Sequence, residues 1–143
     1  MIITINNKTL EELSLVPLKG TLDNLLKPAE KKALVFNENA NIDGSKAITT
    51  NRRTKRRDVS LLFLLKDYTA IDLYRKCEWL DKFLTEGVYK GGLPTGVNEI
   101  RLVDIEVTFR LVYNKMDKYS GFGEGKASVS LHFTELNPTN RMD

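Results

Sequence analysis

Few residues of this chain have side chains suited to acid, base or metal chemistry. The 143 residues include one histidine, His132, and one cysteine, Cys77. These counts exclude His-rich metal centres and multi-cysteine zinc sites, because both need several such ligands. Asp104 and Glu106 stand two residues apart, but paired carboxylates act as acid and base only where an apolar pocket separates their pKa values. Their polar neighbours indicate a solvated strand face, so we predict no catalytic residue, no metal site, no cofactor and no enzyme.

His132 and Cys77 each fit an ordinary structural role. His132 falls on the polar side of a predicted strand, with no cysteine or acidic motif beside it, and we interpret it as a surface or interface residue rather than a base. Cys77 falls on the apolar stripe of a predicted helix. A nucleophilic cysteine needs exposure and an activating base, so an inert core cysteine is the better interpretation.

The glycine-rich segment 120–126 superficially resembles a phosphate-binding loop. The P-loop pattern requires a glycine where Ser120 stands. A dinucleotide-binding pattern built on Gly121 and Gly123 also fails, because Lys126 occupies the position of its third glycine. Glycine supplies the positive φ angles that tight turns require. We therefore predict a hairpin or a subunit contact at Gly121 and Gly123.

The positive charge of the chain is concentrated in one short segment. The formal net charge is +3, and without this segment it would be −2. A nucleic-acid-binding protein usually has a broad basic face, often with aromatic residues for base stacking, and neither accompanies this segment. Three interpretations stay open: a solvated loop that guards a strand edge, contact with an acidic surface on a neighbouring subunit, and contact with passing DNA. The five cations, called the basic tract below, are Arg52, Arg53, Lys55, Arg56 and Arg57.

Length and composition describe one globular domain over residues 1–143. Hydrophobic residues make up 41% and charged residues 29% of the chain, as in ordinary globular proteins. The longest apolar run, Leu61–Leu65, is far shorter than the ~20 residues that span a bilayer. The first residues have no signal-peptide pattern. We expect a protein that stays in the cell that makes it and does not enter a membrane.

Hydrophobic periodicity predicts an α+β fold, mainly an antiparallel β-sandwich or barrel with one packed α-helix. A short helix over Thr21–Pro28, capped by a Thr or an Asp, is also expected. A loop at about 37–57 is long for a compact domain, and such loops are usually functional or order against a partner. A flexible connection is predicted over 90–98 and a loop over 116–126. Strands are predicted over 1–6, 33–36, 59–65 (apolar on both faces), 103–113 (with Val103 and Ile105 on its apolar face) and 128–133.

The clearest predicted element is a helix that ends at Gly87. Asp67 or Thr69 can cap it, and Thr69 and Asp72 stand at the spacing of a capping box. Further apolar side chains widen the helix surface beyond one stripe, so a second edge is available for contacts. The residues that recur at helical spacing and should face the core are Leu73, Cys77, Leu80 and Leu84.

The order of elements and four short segments resemble the tail-tube-related domain of tailed-phage and prophage tail proteins, including the distal tail proteins. The resemblance covers most of the chain. None of the segments carries catalytic residues. They are residues 18–28 (LKGTLDNLLKP), 41–44 (NIDG), 57–61 (RDVSL) and 133–138 (FTELNP).

The resemblance implies a structural subunit of the virion tail, assembled in the host cytoplasm. It implies a hexameric ring at the tail tip or baseplate that joins the tail tube to tip proteins. The implied partners are other copies of the chain, the tail tube protein, the tape-measure protein and tail-tip proteins. Contacts would come from the basic tract and from Asn41, Asp43, Gly44, Gly121 and Gly123. Two alternatives stay open: a tail terminator or head–tail completion ring, and a small nucleic-acid-binding module that uses residues 52–57.

Overall fold

The computed structural model describes residues 2–28, 35–37, 46–48, 56–66, 69–118 and 126–138. Seven antiparallel strands form one sheet in the order β2-β1-β9-β10-β11-β6-β3, which curls into a half-barrel. The predicted α+β class is confirmed. The strands are β1 Ile3–Ile5, β2 Lys8–Thr9, β3 Leu15–Pro17, β4 Val35–Asn37, β5 Lys46–Ile48, β6 Arg57–Lys66, β7 Tyr89–Lys90, β8 Leu93–Pro94, β9 Asn98–Leu102, β10 Val107–Lys118 and β11 Lys126–Glu135; the helices are α1 Thr21–Leu26, α2 Ala70–Glu86 and a 3₁₀ turn, Val103–Ile105.

The core lies between α2 and the inner face of the sheet. In β6, side chains alternate strictly, so that Val59, Leu61, Phe63 and Leu65 are buried. Leu62 and Leu64 on the other face are only half-buried. The prediction that both faces of this strand are covered therefore holds for one face within the described chain.

The α2 helix matches its prediction in detail. The hydroxyl of Thr69 accepts a hydrogen bond from the backbone N–H of Asp72 at 3.2 Å, which satisfies a donor of the first turn. The chain leaves the helix at Gly87 with φ 69°. A Cβ there would lie 2.4 Å from the carbonyl oxygen of Val97, so only glycine fits. The predicted stripe is buried: Leu73, Cys77, Leu80 and Leu84.

The predicted strand over 103–113 is in part wrong. Residues Val103–Ile105 form the 3₁₀ turn, and Glu106 has φ 54°, so the chain reverses between β9 and β10. Val103 and Ile105 are exposed at 39% and 44%. Apolar residues alternate on both sides of this reversal, which hides it from a period-two pattern. Strand β10 continues to Lys118, through residues predicted as loop, with a bulge after Tyr113.

The connection predicted as flexible over 90–98 is ordered. Strands β7 and β8 pair as a hairpin around Gly91 and Gly92, both with positive φ, and β9 begins at Asn98. Two central residues with positive φ give the turn whose twist matches a hairpin. The Gly-Gly pair between two short extended segments was the signal for it.

The short helix α1 forms where expected, but without the expected cap. Its N-cap is Gly20, with φ 94° and no side-chain hydrogen bond to the helix. The Thr21 hydroxyl instead binds β6: it accepts from the backbone N–H of Leu62 at 2.9 Å and donates to the Leu62 carbonyl. Asn24 donates to the carbonyl of Ser60 at 2.9 Å. Helix α1 thus closes the edge of β6 beyond the end of β3.

Part of the loop predicted at about 37–57 is a hairpin. Strand β5 pairs antiparallel with β4, and among the described strands these two pair with no other. Asn41, Asp43, Gly44, Gly121 and Gly123 lie outside the described residues. Within the described part of the chain, neither helix combines the length and apolarity needed to cross a bilayer.

Candidate interaction site

The basic tract ends inside the fold. Arg57, the first residue of β6, is 8% exposed, and its Nε lies 3.0 Å from the carboxylate of Glu135, which is 1% exposed. The guanidinium lies over the Phe109 ring at 5.6 Å. It also donates to the backbone carbonyls of Asn24, at 3.3 Å, and Lys27. The buried charge therefore has an acid, an aromatic face and two carbonyl acceptors.

This arrangement differs from the surface contact predicted for Arg57. Alternation along β6 turns Arg57 to the same side as Val59, into the core, while Asp58 faces solvent. Arg57 joins α1, β6, β10 and β11 around one neutralised charge. A buried pair held by several hydrogen bonds is costly to break, because either partner alone would leave an unpaired charge.

An open cavity of about 390 Å³ lies beside this ion pair, between α1 and the start of β6. Lys27, Arg56, Asp58 and Ser60 contribute to its lining. Lys27 and Arg56 are exposed cations, and the Asp58 carboxylate accepts a hydrogen bond from Thr134 at 3.2 Å. The cavity can therefore present two cations to an acidic group. Arg52, Arg53 and Lys55 lie outside the described residues.

His132 sits in a row of polar side chains on the outer face of the sheet. Its Nδ1 is 2.9 Å from the Ser60 hydroxyl, and its Nε2 is 2.9 Å from the Asp117 carboxylate. Ser130 lies 3.3 Å from the same Nε2. Ser60 is the cross-strand partner of His132, and Asp117 is that of Ser130, so the contacts follow from strand register. The side chain is 28% exposed, and the row ties β6, β11 and β10 together.

Tyr113 links the sheet to α2. Its hydroxyl donates to the Asp81 carboxylate at 2.6 Å. Burial, followed by the hydrogen bond to the Asp81 carboxylate, raises the pKa of Tyr113 well above its usual range. The phenol therefore stays protonated and keeps its donor role at neutral pH. Cys77, on the same helix, is buried at 1% exposure, consistent with the inert role predicted for it.

The solvent side of α2 carries a second group of apolar side chains. The rings of Trp79 and Phe83 stack at 5.1 Å, and Lys76 lies over Trp79 at 4.9 Å. Ile71 and Tyr74 are more than half exposed. The additional apolar residues anticipated on this helix thus form a surface, in which Ile71, Tyr74 and Trp79 are exposed while Phe83 packs partly against the core. Among the described residues, no three His, Cys, Asp or Glu side chains group as a metal site.

Comparison with known proteins gives a likeness of structure rather than sequence. No protein-family model matches the chain, and no curated protein sequence matches it. The fold is similar to the crystal structure of SPP1 Dit (gp 19.1), described as a paradigm of the hub adsorption apparatus in phages that infect Gram-positive bacteria. The TM-score is 0.63 at 18% identity, over 96% of this chain and 50% of that one. This chain thus has the fold of about half of that protein.

Proposed function

We propose that this protein is a structural subunit of a phage tail, forming a hexameric ring at the distal end that joins the tail tube to tip proteins. The observation that carries the proposal is the likeness of fold to SPP1 Dit over nearly the whole chain. The sequence resemblance to tail proteins, found independently of that likeness, points the same way. The role needs no active site, and the polar groups around Arg57, His132 and Tyr113 are held by contacts within the fold.

The hairpin of β4 and β5 supports assembly through an arm. An isolated two-stranded hairpin is marginally stable in water, and it needs a third strand or a packed surface. Among the described strands, β4 and β5 pair only with each other. A neighbouring subunit in a ring would supply such a surface. Residues 37–57 would then reach across to the next copy.

The basic tract supports a contact with an acidic neighbour. Arg56 is exposed at the cavity beside Lys27, whereas Arg57 is already neutralised by Glu135. The described residues around Arg56 include no aromatic ring lining the cavity, so base stacking, the usual basis of single-strand binding, lacks a platform there. An acidic surface on an adjacent tail protein or subunit fits these cations better than DNA does.

The first experiment is the absolute mass of the purified chain by light scattering after size exclusion. It is run at about 0.1 M and about 1 M salt, where the Debye length falls from about 10 Å to about 3 Å. We expect a mass several times 16.3 kDa at both salt concentrations. A mass of 16.3 kDa under all conditions would contradict a self-assembling ring.

A charge-reversal series then tests the basic tract. Arg52, Arg53 and Arg56 are changed to Glu together, and Arg57 is left intact to keep the fold. The matched control reverses three exposed cations elsewhere, Arg75, Lys82 and Lys126. Loss of phage yield only in the first variant supports the contact; equal yields in both would remove the tract from the mechanism.

Two other roles make different predictions. A tail terminator or head–tail completion ring would give the same mass, but its gene is expected before the tube gene rather than beside the tape-measure gene. A nucleic-acid-binding module would bind DNA with an affinity that falls steeply with salt, by about one unit of log–log slope per phosphate contact. A DNA titration on the sample used for the mass measurement separates that role from the ring.

A further inference from the structure

An apolar groove opens on the surface where the two ends of the curled sheet approach each other. Its volume is about 490 Å³, within the ~300–1,000 Å³ range of sites that accept ligand groups. Ile2 is 58% exposed and Val16 is 41% exposed at its walls. Thr9 and Glu11 are the polar residues of the lining. The apolar lining residues are Ile2, Ile3, Leu10, Leu15, Val16 and Pro17.

The groove is closed to strand addition, although β3 is an edge strand. Pro17 has no N–H to offer, and the N–H of Leu15 already donates to the carbonyl of Leu10 at 2.9 Å. Edge strands blunted in this way do not recruit a further strand. An occupant must therefore bind through side chains. The two polar lining groups are also too few to orient a polar small molecule, which favours an apolar protein knob.

The chain carries such a knob in the β7–β8 hairpin. Leu93 is the most exposed large apolar side chain of the described residues, at 70%. Lys90 is its cross-strand partner, so the two side chains project from the same face of the hairpin. Lys90 is the one charged residue between Val88 and Val97. The knob is thus an exposed leucine with one cation beside it.

The base of the hairpin is held rigidly. Val88 donates its N–H to the Val97 carbonyl at 2.8 Å and accepts the Thr95 N–H at 3.0 Å. The Thr95 hydroxyl donates to the same Val88 carbonyl at 2.7 Å, and Gly96 donates to the Glu86 carbonyl at 2.8 Å. A preorganised loop binds with less loss of conformational entropy than a mobile one. Exposure of Leu93 is therefore a fixed feature of this surface.

We propose that the β7–β8 hairpin of one copy inserts Leu93 into the groove between β1 and β3 of the next copy. Charge complementarity supports a second copy as the occupant. Glu11 lines the groove, and the carboxylate of Asp104 is attached to its wall by accepting the Ile2 N–H at 2.7 Å. Lys90 beside Leu93 would face these acids. The inference rests on the proposed ring and names the contact that builds it.

The positions of knob and groove suit a repeating head-to-tail contact. The groove lies at the Ile2 end of β1, whereas Asn6 and Asn7 at the other end line a cavity together with Tyr89 of the hairpin. The two surfaces are different and lie apart, so each copy can bind one neighbour on each side. Such heterologous contacts generate closed rings when the rotation between copies closes.

Paired variants test the contact on the full chain. Leu93→Asp removes the knob, and Val16→Lys places a cation in the groove opposite Lys90. Ile71→Asp, on exposed α2, is the matched control because Ile71 is 59% exposed outside both surfaces. Light scattering over a concentration series should show at least a tenfold rise in the concentration for half-assembly in the first two variants. The control should stay within twofold of the unmodified chain, and circular dichroism confirms that all three fold.

Mixing the two variants gives a sharper readout. Leu93→Asp keeps an intact groove and Val16→Lys keeps an intact hairpin, so one good contact forms per mixed pair. We expect a species of twice 16.3 kDa in the mixture and in neither variant alone. A chain with Val16→Cys and Leu93→Cys should also form intermolecular disulfides under mild oxidation, while the native Cys77 is buried.

The outcomes separate the contact from the ring itself. If the unmodified chain assembles and both variants assemble equally well without cross-linking, the proposed contact is wrong while the ring stands. If the unmodified chain stays at 16.3 kDa at every concentration, the self-assembling ring fails and the contact fails with it. The contact is supported if both single variants assemble more weakly than the unmodified chain, if their mixture forms a two-chain species, and if the double-cysteine chain forms intermolecular disulfides.

Discussion

Two places where the curled sheet ends are built in opposite ways. At the start of β6, α1 covers the strand edge and Arg57 is neutralised by Glu135. At the junction of β1 and β3, an apolar groove stays open with Ile2 and Val16 in its walls. The first place pairs its buried charge within the chain, whereas the second leaves apolar side chains partly exposed. At the start of β6, the pairing of the buried charge stabilises the fold. At the groove between β1 and β3, the exposed apolar side chains are available for association with another molecule.

The largest predicted change in stability comes from the ion pair of Arg57 and Glu135 at the start of β6. Glu135→Ala should lower the free energy of unfolding by about 3–5 kcal/mol, because it leaves the buried Arg57 charge without its acid. The measurement is urea unfolding of purified protein. The double variant Arg57→Met with Glu135→Leu should recover most of the loss, since it removes both charges. A Glu135→Ala chain as stable as the unmodified one would mean that the pair does not hold this region together.

The next largest change in the free energy of unfolding is expected at the edge of β6 that α1 covers. Thr21→Val should cost about 1–3 kcal/mol, because the N–H of Leu62 would be left without its hydroxyl acceptor. Thr85→Val is the control: Thr85 donates to a helix carbonyl on exposed α2, and surface changes of this kind stay within about 0.5 kcal/mol. Equal stability of the two variants would show that α1 does not seal the edge through this hydroxyl.

A smaller change in stability, dependent on pH, is expected at the hydrogen bond from Tyr113 of the sheet to Asp81 of α2. The pKa of Tyr113 is raised above its ordinary value of 10.0 by burial and by the Asp81 carboxylate. The stabilising contribution of this group is therefore complete below pH 10 and is lost as the pH rises through the folded-state pKa. Unfolding free energies from pH 9 upward should fall more steeply for the unmodified chain than for Tyr113→Phe. Tyr74→Phe is the comparison: the hydrogen bond with Glu78 raises the pKa of Tyr74 as well, but this side chain is exposed, so its removal should change the pH dependence less.

The smallest expected change in stability belongs to the open groove. Val16→Lys should alter the unfolding free energy by no more than about 0.5 kcal/mol, because the side chain is partly exposed on an edge strand that tolerates lysine. Thermal unfolding at a concentration too low for assembly measures it. A loss comparable to that of Thr21→Val would show that the groove is part of the fold, and the contrast between the two regions would disappear.

Local patterns predicted some elements accurately. The α2 helix, its Thr69 cap, its end at Gly87 and its buried stripe all depend on residues within four positions of each other, and such contacts are visible in sequence. In β6 the local pattern was less informative: it indicated two covered faces, whereas the structure buries only the face that carries Val59, Leu61 and Phe63. The reversal at Val103–Ile105 could not be predicted, because apolar alternation continues through it.

The candidate site was only partly predictable. The basic tract is visible as a run of cations, but the run itself does not show that Arg57 pairs with Glu135 while Arg56 stays exposed at the cavity. That pairing joins residues 78 positions apart along the chain. The groove likewise combines Ile2, next to β1, with Val16 of β3, and these strands lie near opposite ends of the strand order.

The α+β class, the long helix α2, the alternating strands and the concentration of positive charge could all be predicted from the order of residues along the chain. Helical period, capping and alternation are short-range properties, so each is written in neighbouring residues. The packed fold was needed to show which cation is buried, which strand edge α1 closes and where an apolar groove stays open. Those outcomes depend on register and on the curl of the sheet, which bring together side chains that are distant along the chain.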